Sequence, residues 1–115
     1  MTVSIYHNPR CGKSRAALEL LRNSGQAPTV IEYLKTSPGV QDIENLLQLL
    51  GIEPRELMRK NEPIYKDLGL ADPALDRAAL IGAMVQNPIL IERPIVIANG
   101  KAAIGRPPEK VLEIL

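Results

Sequence analysis

The chain has a single cysteine, Cys11, no tryptophan or phenylalanine, and only three tyrosines among its 115 residues. One cysteine excludes an internal disulfide and argues against a disulfide scaffold, whereas a free thiol is at home in a reducing compartment. The near absence of aromatic rings removes the stacking platforms on which nucleic-acid bases are read. An excess of charge of one sign is also missing. Fourteen Lys and Arg stand against thirteen Asp and Glu, a formal charge of +1, so bulk electrostatics favour neither nucleic acid nor an anionic membrane surface. No stretch approaches the roughly 20 apolar residues of a membrane helix, and the N-terminus lacks a basic segment followed by a long apolar run. The expectation is one soluble, cytoplasmic domain with no nucleic-acid or membrane partner, long enough to bury an ordinary core.

What is present has a clear order. Val3 and Ile5 within Thr2–Tyr6 predict a short strand, and Asn8-Pro9 a turn after it. From Gly12 to Asn23 the apolar positions Ala16, Ala17, Leu20 and Leu21 predict a helix beginning at Cys11 and stopped by Asn23-Ser24-Gly25. Val30, Ile31 and Tyr33 within Pro28–Leu34 predict a second strand, and a strand-helix-strand unit this short implies parallel pairing with a right-handed crossover. A helical block of about 37–86 follows. Ser37-Pro38 opens a helix with Val40, Ile43, Leu46, Leu47 and Leu50 on one face, closed by Gly51. Short helices are expected from Pro54 through Met58 and from Pro63 toward Leu68. Asp76 is expected to cap Arg77–Gln86, whose stripe is Leu80, Ile81, Met84 and Val85. No Ser/Gly linker sets the block apart, so it reads as an insertion within a single domain, 1–115. Ile95, Val96 and Ile97, then Asn99-Gly100, then Lys101–Ile104 predict a hairpin with a primed turn. Pro107 and Pro108 open a last helix carrying Val111, Leu112 and Leu115. The fold class is α/β, a mixed four-stranded sheet with a helical insertion between βαβ and ββα halves.

Chemistry centres on Tyr6-His7-Asn8-Pro9-Arg10-Cys11-Gly12-Lys13-Ser14. Its turn formers and polar residues are a poor place to bury a thiol. Unpaired N–H groups and the dipole at a helix N-terminus favour an anion there, whether a Cys11 thiolate or a bound oxyanion. His7 reads either as a cationic or hydrogen-bonding neighbour of the thiol or as a surface histidine at a strand end. Asn8 reads either as a side-chain hydrogen-bond donor or as a residue that shapes the turn, with the turn role favoured. Arg10, Lys13 and Arg15 make the loop basic. A Cys-x-x-Cys pair would need cysteine where Ser14 stands, and a phosphatase-type loop would need arginine where Ala17 stands, so both classes are excluded. One Cys and one His make no zinc site, and neither a Walker A nor a dinucleotide glycine fingerprint occurs. Arg59, Arg93 and Arg106 flank turns. Each alone reads as a surface arginine, and together they would suit a tetrahedral oxyanion through bidentate hydrogen bonds.

The motifs Tyr6-His7-Asn8-Pro9, Cys11-Gly12, Ser14-Arg15, Arg59-Lys60-Asn61-Glu62-Pro63, Asn87-Pro88-Ile89-Leu90-Ile91, Arg93-Pro94-Ile95-Val96 and Gly105-Arg106-Pro107 resemble those of glutaredoxin-linked arsenate reductases. The resemblance covers nearly the whole chain. It implies a thioredoxin-like fold and Cys11 as nucleophile, with His7 tuning its pKa. Arg59, Arg93 and Arg106 would bind the oxyanion, Asn8, Ser14 and Arg15 would support the loop, and Pro94 would be a cis-proline beside the active cysteine. It further implies that arsenate is the substrate and that Cys11 attacks it. Glutathione would act as co-substrate and glutaredoxin would supply electrons, with no bound cofactor or metal and the protein acting as a monomer. Arg10 departs from relatives with a small residue there, and the chain ends at Leu115 without the tail some relatives carry. Two other readings share the fold: a transcription regulator that binds RNA polymerase, which typically carries Cys-x-x-Cys, and a glutathione-dependent thiol reductase of another substrate. Ser14 and Arg106 favour the arsenate reductase over the regulator.

Overall fold

In the computed structural model, which describes residues 2–115, β1 (Ser4–Tyr6) lies at the middle of the fold's only named sheet among the described residues. Its parallel partner is β2 (Thr29–Ile31), with Ile5 opposite Val30. On its other side it pairs antiparallel with β3 (Ile95–Ala98), Ile5 opposite Val96. β3 in turn pairs with β4 (Lys101–Ile104), giving a four-stranded mixed sheet of order β2-β1-β3-β4. The β3–β4 turn is the primed hairpin expected of Asn-Gly, because Asn99 and Gly100 both take positive φ, 56° and 69°.

Two compact units can be distinguished, one made of residues up to Thr36 with Arg93–Leu115, the other of Ser37–Glu92. In the first, α1 (Gly12–Asn23) and a C-terminal 3-10 helix (Pro108–Ile114) pack with the sheet around Val3, Ile5, Ala17, Leu18, Leu21, Val96, Ala98, Val111 and Ile114. The buried stripe of α1 is Ser14, Ala17, Leu18 and Leu21, an i, i+3, i+4, i+7 set. The expected stripe is therefore turned: Ala16 is exposed and Leu20 half-buried. Its first member is polar, so an apolar count passes over it. The last helix is 3-10 rather than α, and its buried Val111 and Ile114 are three residues apart, the period of that helix, which leaves Leu112 exposed.

In the second unit, α2 (Val40–Leu50) buries Ile43, Leu46 and Leu47 while Val40 stays exposed, and it ends at Gly51 in the left-handed conformation. α3 (Pro63–Asp67) is short. α4 (Arg77–Gln86) starts where expected, with the Asp76 carboxylate accepting the Ala79 N–H at 2.9 Å, and it packs on α2. Pro54–Leu57 and Pro88–Leu90 form single 3-10 turns, the first where a short helix was expected, the second just after α4. An isolated antiparallel bridge joins Met58 to Ile91. Among the described residues no helix is long and apolar enough to cross a membrane.

Candidate active site

The thiol's position follows from a sequence of local hydrogen bonds. As β1 ends, His7 N–H still donates to the Ile31 carbonyl at 2.8 Å, so the chain leaves the sheet from a fixed point. Asn8 then closes the turn: its Oδ1 accepts the Arg10 N–H and its carbonyl accepts the Cys11 N–H, both at 3.0 Å. This makes Cys11 the N-cap of α1, with extended backbone (φ −93°, ψ 122°), partial exposure and no side-chain cap hydrogen bond. A side chain at that position faces the first-turn amides, which have no intrahelical acceptor, at the positive end of the helix dipole. No acidic residue occupies the first turn of α1. Arg10, Lys13 and Arg15 are exposed, and Arg15 Nη1 donates to the Pro9 carbonyl at 3.3 Å.

Beneath the loop, Ser14 is fully buried, and its Oγ accepts the Asn8 N–H at 3.0 Å while sharing a 2.6 Å hydrogen bond with His7 Nδ1. His7 is not a surface histidine. It is buried, and that burial pushes its pKa below the usual 6.5, with Arg22 and Arg15 acting in the same direction and Glu32 opposing them. The neutral ring is thus favoured, and its Nδ1 is engaged by Ser14 rather than presented as a cation.

At the same end of the sheet, since Tyr6 pairs with Ile95 and Ile95 with Ile104, Arg93 and Arg106 flank a close backbone contact. The Arg93–Pro94 and Arg106–Pro107 bonds are both cis. Gly105 N–H donates to the Pro94 carbonyl at 2.8 Å, and Arg106 Nε donates to the Arg93 carbonyl at 3.0 Å. A Cβ on Gly105 would lie 2.7 Å from Pro94 Cγ and 3.2 Å from Val111 Cγ1, so only glycine fits there. The Nε of Arg93 is buried and has no hydrogen-bond partner, an unsatisfied donor on a cationic side chain.

Arg59 belongs to the second unit, where its backbone is fixed beside the Met58–Ile91 bridge: Arg59 N–H donates to the Leu90 carbonyl at 2.6 Å. Its Nη1 donates to Glu62 Oε1, and its Nε lies 3.7 Å from Glu92 Oε1. Sequence reasoning left out these two carboxylates and Gly105. Glu62, three residues after Arg59 and inside the same motif, carried a signal; Glu92 is far along the chain and gave none. Among the described residues no group of three or more His, Cys, Asp or Glu side chains is arranged to hold a metal ion.

The mixed β2-β1-β3-β4 sheet and the thiol at the α1 N-cap define a thioredoxin-like thiol protein. The ArsC family model matches residues 6–114. The chain is 58% identical over 114 residues to the uncharacterized protein YfgD of Escherichia coli K12, covering 98% of this chain and 96% of that protein. It is 48% identical to an arsenate reductase of Neisseria meningitidis serogroup A, covering 98% of this chain and 97% of that protein. The solved structure of an arsenate reductase from Vibrio cholerae superposes with a TM-score of 0.98 at 57% identity, covering 100% of this chain and 98% of that one. The chain belongs to the ArsC family.

Proposed function

We propose that this protein reduces arsenate to arsenite, with Cys11 as nucleophile and thiols from glutathione and glutaredoxin completing the chemistry. The observation that carries the reading is a lone, partly exposed cysteine at a helix N-cap in a family whose named relatives include arsenate reductases. Attack of the Cys11 sulfur on arsenic(V) forms an S–As bond and releases an arsenate oxygen as water. The glutathione thiol replaces a second oxygen in the same way. A glutaredoxin thiol then takes the glutathione sulfur as a disulfide, the two electrons pass to arsenic, and water frees arsenite from Cys11. Because the chain holds no second cysteine, both later thiols must come from outside.

The protein's own contribution is positioning and charge. First-turn amides of α1 support the sulfur and the oxyanion it attacks. Arg93, with an unpartnered Nε–H, and Arg106, tethered to the Arg93 carbonyl, are proposed as oxyanion donors, with Arg59 as the third. His7, through Ser14, holds the loop that carries the thiol and acts as a neutral hydrogen-bonding group.

Purified protein incubated with arsenate, glutathione, glutaredoxin and its reducing system should yield arsenite, quantified chromatographically, and Cys11→Ser should abolish it. Arsenite formation unchanged in Cys11→Ser would remove the reading. Arg106→Ala should weaken arsenate use far more than it lowers the unfolding midpoint; equal loss of both would make Arg106 structural.

A further inference from the structure

Glu62 stands at the N-cap of α3, where a side chain ordinarily accepts from first-turn amides, yet its carboxylate makes no such bond. It turns back instead to accept from Arg59 Nη1. The backbone prepares this, since Glu62 N–H donates to the Arg59 carbonyl at 3.1 Å and closes the turn that brings the two side chains together. From the neighbouring strand-like segment, Glu92 N–H donates to the Leu57 carbonyl at 2.8 Å, which sets the Glu92 carboxylate 3.7 Å from Arg59 Nε. The three side chains are only 20–22% exposed. The guanidinium is thus held at Nη1 and flanked at Nε, and no described residue accepts from Nη2. A long arginine side chain that must be immobilised when an anion binds loses affinity for it, and a guanidinium fixed beforehand avoids that loss.

We infer that Glu62 is a positioning residue that presets Arg59, with Glu92 as a flanking carboxylate, so that the Nη2 edge is free for the substrate oxyanion. The inference rests on the proposed oxyanion role of Arg59. Glu62 touches no substrate and acts only through that guanidinium.

The test measures arsenate affinity by calorimetry in the Cys11→Ser chain, where no turnover intervenes, with Glu62→Ala, Glu62→Gln, Arg59→Ala and the Arg59→Ala/Glu62→Ala pair added, each checked for an unchanged unfolding midpoint. Glu62→Ala should weaken arsenate binding by about 3- to 10-fold, the range set by immobilising one flexible side chain. Glu62→Gln, whose amide oxygen accepts the same hydrogen bond, should restore most of it. In the Arg59→Ala background Glu62→Ala should have no further effect. The inference is overturned if Glu62→Ala weakens binding equally with and without Arg59, or has no effect where Arg59→Ala weakens it. An Arg59→Ala chain that binds arsenate as tightly as its parent instead overturns the role proposed for Arg59 itself.

Discussion

His7 is the only histidine, so it is the one imidazole whose charge can change near pH 6.5. Burial lowers its folded pKa, whereas the unfolded chain takes up the proton near the ordinary value. Between the two the unfolded state binds more protons. The contribution of His7 to stability is therefore complete above about pH 6.5 and is lost as pH falls toward the lowered folded value. Urea unfolding at pH 7.5 and 5.5 should show this loss in the native chain and a smaller one in His7→Gln. Ser14 can be tested separately. Ser14→Ala leaves the Asn8 N–H and His7 Nδ1 without their partner in a buried setting, a loss of about 1–3 kcal/mol in unfolding free energy. It should also slow alkylation of Cys11 by iodoacetamide relative to the native chain, because the loop carrying the thiol loses its anchor.

At the scale of elements, the junction between β4 and the start of β3 depends on the absence of a side chain. Gly105 packs with its backbone against the Pro94 ring, and the ring cannot swing aside as a flexible chain would. Gly105→Ala should lower the unfolding free energy by about 1–3 kcal/mol, as overpacking in a tight interior does. It should also weaken arsenate use, since Arg93 and Arg106 lie on either side of that contact. The α4 cap is simpler. Asp76→Ala removes the carboxylate that accepts the Ala79 N–H and should cost about 1 kcal/mol in a urea titration. Activity should be unaffected.

Across the whole molecule, the parts legible in the sequence are those governed by near neighbours. The βαβ start, the Asn99-Gly100 hairpin, the Asp76 cap and the N-cap position of Cys11 each follow from residues within a few positions. Contacts between distant segments were not legible. The Arg59–Glu92 proximity joins residues 33 positions apart, and the Gly105–Pro94 packing depends on how two strands meet. The burial of Ser14 was not foreseen, because a hydroxyl on the buried face of a helix is invisible to an apolar pattern. Its bonds to His7 and Asn8 explain why that face tolerates it. The resemblance in the motifs identified the family to which the chain belongs, and the geometry adds how each proposed side chain is held.

The central claim is that a single thiol does this chemistry by borrowing the others. Arsenite production should be followed over many turnovers with glutathione and glutaredoxin, with either one omitted, and with thioredoxin in place of both. The account predicts sustained arsenite formation only when glutathione and glutaredoxin are both present. Equal rates with thioredoxin alone would contradict it.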